Sequence, residues 1–349
     1  MTHGAEFGIY NLVAKITFKL LLVVVLLSSS ARATDATLAV RLQQDAEQGD
    51  SKAQYLLGTL FVKGDGVPKD STIAVIWFRK AAEQGNAMAQ YSLGLIYDNI
   101  IGNGSSRNST EAFKWYRMAA EQGHSHAQDL LGSMYTHGDG VQKNSAEAVV
   151  WYRKSAEQGL DLAQYHLGNC YFYGEGVPRD LTETAKWWRK SAQQNHTVSQ
   201  FNLGAMYAIG NGVPKDSAEA MIWYRKAAEK GDVKAQGNLG VMYAKGEGVK
   251  KNGAEAVAWF LKAAEQGDVT AQGNLSMMYG KGEGVPKDSI EGLAWCNIAA
   301  ASGDETFIKN RDVLEQRLGN EVTLAAQQRS KQIMKEIEDA KHKTPSTTP

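Results

Sequence analysis

Between Gly49 and Gly303 apolar residues recur at helical spacing in short blocks separated by glycine-rich breaks. The block 232–245 places Ala235, Leu239 and either Met242 or Tyr243 at i, i+4 and i+7 or i+8, one apolar stripe of an α-helix. The block 253–266 puts Ala256, Trp259, Phe260 and Ala263 on a second stripe. Between them Gly246 and Gly248 interrupt the pattern; an interior glycine costs a helix about 1 kcal/mol relative to alanine. The pattern predicts two helices joined by a tight connection.

This unit repeats. Gly49, Gly85, Gly123, Gly159, Asn195, Gly231, Gly267 and Gly303 stand 36 residues apart, except for an interval of 38 that contains the loop Ile100–Ser106. A fixed period of this size marks stacked supersecondary units. Asn108/Glu111, Asn144/Glu147, Asp180/Glu183, Asp216/Glu219, Asn252/Glu255 and Asp288/Glu291 have capping-box spacing and predict the start of each second helix. The first repeat departs, with Ile73 where the glutamate would stand. Gly267 and its equivalents are expected to close that helix in the left-handed conformation.

Each second helix carries one tryptophan (Trp77, Trp115, Trp151, Trp187, Trp223, Trp259, Trp295), and most first helices carry a tyrosine, with Phe61 in the first repeat. Such a ladder could stack bases or sugars. A hairpin of this length has no core of its own, however, and large side chains buried against the next hairpin are the better reading. Gly58, Gly94, Gly132, Gly168, Gly204 and Gly240 fall in the middle of first helices, where they are expected to let the partner helix approach closely.

Composition narrows the chemistry. Lys plus Arg equals Asp plus Glu at 38 each, and the positive charges are scattered, so nucleic acid is not an expected partner. The Gly-x-Gly loops lack the Lys-Ser/Thr and the preceding strand of a phosphate-binding loop. His126 and His137 lie about 16 Å apart along one helix and cannot share a metal, and His124 and His126 are expected to be solvated. No cofactor is expected. Cys170 and Cys296 fall three repeats apart, too far to bridge, and should be free and buried.

At the N-terminus, Lys15 and Lys19 precede an apolar run from Leu20 to Leu27 and then Ala31-Arg32-Ala33. Those are the parts of a secretory signal peptide spanning residues 1–33, cleaved after Ala33, with a retained anchor as the alternative. The run is too short to span a bilayer, which takes roughly 20 residues. The mature chain is thus expected to be periplasmic or secreted, with no membrane span. Residues 34–48 predict an N-terminal capping helix, with Arg41 where the tryptophan would fall. Residues 49–303 hold the seven repeats and 304–342 two closing helices, with Phe307, Val313, Leu314 and Leu318 as the apolar residues of the first and Val322, Leu324, Ala325 and Met334 of the second; 343–349 should be a disordered tail.

The recurring Ala-Gln-x-x-Leu-Gly-x-x-Tyr, Gly-x-Gly-Val-Pro-Lys-Asp and Trp-Tyr-Arg-Lys-Ala-Ala-Glu-Gln-Gly segments resemble the Sel-one-like repeat family, related to the tetratricopeptide repeats. The resemblance implies an all-α, right-handed α/α superhelical solenoid acting as a non-catalytic adaptor, commonly in the bacterial envelope. In tetratricopeptide relatives the first helices line a concave face. The resemblance therefore implies a surface for a protein or peptide partner made by Tyr55, Tyr91, Leu95, Asp98, Asp129, His137, Tyr165, Asn169, Phe172, Tyr173, Phe201, Lys245 and Lys281, with Gly237 and Gly273 leaving room beside the lysines. Some relatives have been described as β-lactamase-like, which makes a penicillin-directed hydrolase the enzyme alternative. No Ser-x-x-Lys, Ser-Asp-Asn or Lys-Thr-Gly motif is present to support it. A module contacting peptidoglycan or other glycan is the third reading, since tyrosine and tryptophan rings stack on sugars.

Overall fold

A computed structural model describes residues 30–100 and 107–343. The apolar run of the expected signal segment, the core of the repeat-two loop and residues 344–349 of the expected tail lie outside them. Among the described residues there are seventeen α-helices and no strand. Helix α1 (Ser30–Glu47) precedes the repeats. Repeats one to three are α2 (Ser51–Lys63) with α3 (Ser71–Glu83), α4 (Ala87–Tyr97) with α5 (Ser109–Glu121), and α6 (Ser125–His137) with α7 (Ser145–Glu157). Repeat four comprises α8 (Asp161–Tyr173) and α9 (Leu181–Gln193). Repeats five to seven are α10 (Thr197–Ile209) with α11 (Ser217–Glu229), α12 (Val233–Lys245) with α13 (Gly253–Glu265), and α14 (Val269–Lys281) with α15 (Ser289–Ala300). Helices α16 (Glu305–Leu318) and α17 (Asn320–Lys343) follow. The fold is an all-α solenoid of hairpin repeats.

The chain forms two compact units, Met1–Arg179 and Asp180–Pro349, divided between α8 and α9. In the first, α1 packs on α2, each hairpin pairs its own helices, and α3, α5 and α7 pack on the first helix of the following repeat. In the second, α9, α11 and α13 do the same, and α15 carries both α16 and α17.

Local chemistry sets the helix ends. Asp70, Asn108, Asn144, Asp180, Asp216, Asn252 and Asp288 each accept a hydrogen bond from a free backbone N–H in the first turn of their second helix. In repeats four and five the glutamate three residues on does a different job from that of a capping box. Glu183 and Glu219 accept the indole N–H of Trp187 and Trp223 at 3.1 Å, one helical turn further along. After α9, Asn195 adopts φ +71° where the other repeats have glycine; asparagine tolerates that left-handed geometry better than other side chains.

The mid-helix glycines make room for a ring rather than for a backbone. The residue after the tryptophan lays its ring on the glycine of the same hairpin. A Cβ at Gly94 would stand 2.3 Å from the Tyr116 ring, and one at Gly240 would stand 2.5 Å from Phe260. Gly58, Gly132 and Gly204 meet Phe78, Tyr152 and Tyr224 in the same way. Repeat seven varies both sides together: Ser276 replaces the glycine and Cys296 the ring, and the two side chains are hydrogen-bonded.

Between hairpins the contacts are polar as well as apolar. Trp77, Trp151, Trp187, Trp223, Trp259 and Trp295 are buried, whereas Trp115 is half-buried. Gln54, Gln90, Gln128, Gln200, Gln236 and Gln272 are buried, and each donates across to a main-chain carbonyl eight residues back, near the C-terminus of the preceding helix. Each of these carbonyls also accepts the backbone N–H three residues on, so the glutamine fills its second acceptor site at the helix end. The second glycine of each loop is seated on the preceding repeat. A Cβ at Gly140 would lie 2.2 Å from the Ser109 carbonyl oxygen, so backbone rests on backbone there.

The closing helices use part of the apolar set expected. Phe307, Leu314 and Leu318 of α16 and Val322 and Ala325 of α17 are half-buried, whereas Val313, Leu324 and Met334 are 63%, 60% and 50% exposed. Ala326 and Ile333, outside the expected set, are the residues that α17 buries, and α16 buries none fully. Cys170 and Cys296 are free and buried, and burial pushes the Cys170 thiol up to about 12.

The ring-on-glycine contact yields a paired test by urea denaturation. Helix propensity alone would make Gly94→Ala stabilising. The overlap with Tyr116 is larger, and a loss of about 1–3 kcal/mol is expected. Gly237→Ala, whose Cβ meets nothing within 4 Å, should instead gain up to about 1 kcal/mol.

Candidate functional site

In the first unit, the position two residues after each repeat alanine holds Tyr55, Tyr91, Asp129 and Tyr165 on successive first helices. The three tyrosines are half-buried. Burial first, and then the neighbouring Asp129 and Tyr55, hold the Tyr91 phenol above its usual range. Its ring stacks on His124 at 4.4 Å between centroids.

Asp129 is not the exposed contact residue expected from the repeat register. It is 3% exposed and its Oδ1 lies 2.8 Å from Nδ1 of His166, which thus donates to it. The His166 ring lies 5.0 Å from Tyr152 and 5.7 Å from Tyr165. One carboxylate is therefore set into a bed of aromatic rings, braced by an imidazole that remains partly open to solvent. Nearby, Thr136 and Tyr152 hydroxyls lie 3.3 Å apart, and burial raises the Tyr152 phenol. These rings offer flat apolar faces with hydrogen-bonding edges.

Other expected residues of this unit have separate tasks. Asp98 is largely enclosed, paired with Arg107 at 2.6 Å, and Arg107 also reaches Asp139 of the next repeat at 3.3 Å. Asp98 thus holds Arg107, which ties repeat two to repeat three. Leu95 and Asn169 are half-buried on the same helices as Tyr91 and Tyr165. His137 is exposed and donates from Nδ1 to the Ser133 carbonyl of its own helix at 2.9 Å. Phe172 packs edge-on to Tyr173, with the Arg179 guanidinium over its ring, while Tyr173 is 67% exposed.

In the second unit, Phe201 is half-buried with its ring 5.7 Å from Tyr224. Lys245 and Lys281 are exposed, and Lys245 stands 3.6 Å from Glu247. Gly273 offers no space beside them, because the Phe307 ring of α16 lies where its Cβ would be, at 2.2 Å. Gly237 remains open.

Two residues that matter in the first unit were missed in the sequence. His166 follows Tyr165 and so falls off the i, i+4, i+7 face. His124 is not simply solvated: it stands where repeats one, two, six and seven have Asp or Asn, and its Nδ1 accepts from the Ala127 N–H at 3.2 Å. Register alone would have identified it as a cap.

That cap needs a neutral ring. Burial, with a smaller contribution from His126, holds His124 below its ordinary value of 6.5. The unfolded chain therefore takes up this proton more readily than the folded one. The cap's contribution should be complete above about pH 6.5 and decline as pH falls through the folded value. His124→Asn keeps the acceptor and removes the titration. Chemical denaturation at pH 7.5 and pH 5 should show wild type losing up to about 1 kcal/mol more than the variant on acidification.

Seven consecutive matches to the Sel1 repeat cover residues 51–86, 87–124, 125–160, 161–196, 197–232, 233–268 and 269–304. The chain is similar to a protective antigen of uropathogenic Escherichia coli displaying an SLR fold, at 35% identity and a TM-score of 0.65, over 86% of this chain and 72% of that one. It is also similar to a Sel1 repeat protein from Oxalobacter formigenes, at 33% identity and a TM-score of 0.62, over 82% of each chain. No curated protein matches it. With matched repeats filling nearly the whole chain after α1, this protein belongs to the Sel1 repeat family.

Proposed function

We propose that the protein is a non-catalytic scaffold of the bacterial envelope that captures a partner protein through the first-helix face of its N-terminal unit. Sel1 repeat proteins are in general protein-interaction scaffolds. The observation that carries the finer reading is the row Tyr55, Tyr91, Asp129 and Tyr165: one position of the repeat, varied from hairpin to hairpin, on a frame whose packing residues stay constant. Half-buried tyrosines are rigid and amphipathic, and such residues anchor interfaces.

Export is supported by the charged flank, short apolar run and Ala-x-Ala site before residue 34. The similar Escherichia coli protein is described as a protective antigen. The reading that this N-terminal segment supports is a periplasmic or secreted chain.

The test is cross-linking capture from envelope extract with wild type and with Tyr91→Ala/Tyr165→Ala. Wild type should retain a discrete protein partner, and the double variant should lose most of it while keeping its circular dichroism. Undiminished capture by the variant would mean that the row is not the site. Sedimentation with purified peptidoglycan without any protein partner would point to glycan instead. Turnover of nitrocefin by the purified chain would contradict a non-catalytic role, and none is expected.

A further inference from the structure

Four repeats share one inter-hairpin arrangement. Arg79, Arg153, Arg189 and Arg225 each donate to the hydroxyl of the tyrosine eighteen residues on, in the next first helix. Where the guanidinium also lies over that ring it is 5.6–5.8 Å from its centre. One repeat beyond Arg225 the position is Leu261, and the tyrosine is Tyr279. Leucine is shorter and donates nothing.

A cavity of about 440 Å³ opens at that place, bordered by Leu261, Tyr279 and Trp295 and roofed by Arg329, Ile333 and Ile337 of α17. This is within the range of small-molecule sites, roughly 300–1,000 Å³. Glu265, Glu291 and Glu336 also line it; Arg329 pairs with both Glu291 and Glu336, so the three carboxylates outnumber the one cation.

Trp295 supplies a second, independent sign. It is 2% exposed, and its indole N–H has no hydrogen-bond partner. In repeats four and five the glutamate one turn earlier takes that N–H. Here the equivalent Glu291 is turned to Arg329, at 2.7 and 3.3 Å. A buried donor left unmade is costly, and it calls for an acceptor from elsewhere.

We propose that this cavity binds a small guanidino acid, a guanidinium and a carboxylate joined by a short alkyl stem. The guanidinium takes the place that arginine holds in the other repeats, donating to the Tyr279 hydroxyl and to the surplus carboxylates. The stem lies along Leu261, Ile333 and Ile337. The carboxylate accepts from the indole N–H of Trp295, the buried donor left without a partner.

The test is isothermal titration of the full chain with 4-guanidinobutyrate, beside pentanoate, which has the stem and acid without the guanidinium. Wild type should bind 4-guanidinobutyrate and bind pentanoate at least about tenfold more weakly. Leu261→Arg restores the arginine of the other repeats; it should raise the melting temperature and weaken 4-guanidinobutyrate binding at least about tenfold. Tyr279→Phe, which removes one acceptor and keeps the ring, should weaken binding too, and it serves if Leu261→Arg does not fold. No binding by wild type at about 10 mM ligand, equal binding of pentanoate, or folded variants that bind as wild type does would each overturn the proposal.

Discussion

No hairpin of this chain can close its own apolar surface. Each has thirteen-residue helices or thereabouts, below the length at which isolated helices are stable in water, and each turns two stripes outward as well as one inward. The inward stripe is settled by a ring lying on a glycine, as Tyr116 lies on Gly94. The outward ones are settled only by the next hairpin. Tryptophan fills the gap, a buried glutamine takes up a carbonyl at the end of the preceding helix, and a loop glycine lets backbone rest on backbone. These contacts use up the constant residues of the repeat.

What they leave free is the rest of the first helix. Positions such as 55, 91, 129 and 165 touch the scaffold only partly or recruit their own support, so they vary without disturbing the stack. Asp129 shows the cost of that freedom: a carboxylate placed in an aromatic row is buried only because His166 is there to donate to it. The same logic governs irregular positions. Lys230 stands where repeats one to four and six have glutamine, donates to the Asn195 carbonyl instead, and leaves the Gln200 side-chain oxygen without a partner. Leu261 and Tyr279 are another such place, where one missing arginine leaves a cavity.

The repeat, its two helices and their ends were legible because they depend on local chemistry: periodicity, Asp or Asn caps, and glycine at left-handed positions. The burial of most tryptophans was legible for the same reason. What escaped depends on which neighbour arrives. The mid-helix glycine announced a close approach, but the approaching group, a ring of the same hairpin, is fixed by the loop's path. The glutamates of Glu183 type kept capping-box spacing while bonding to an indole that is equally near, one turn on. The closing helices fell outside the period, so only part of their inner face was legible: Phe307, Leu314, Leu318, Val322 and Ala325 are half-buried, but Ala326 and Ile333 are buried while Leu324 and Met334 are exposed. In the candidate site, position identified the tyrosines, but His166 lies one residue off the expected face and could be placed only by packing.

The claim that hairpins are stable only through their neighbours is most directly tested on a peptide of residues 125–160, repeat three alone, by far-ultraviolet circular dichroism in water. The account predicts a largely unfolded spectrum beside strong helicity for the whole chain. A peptide as helical by itself as the same residues are in the intact protein would contradict it.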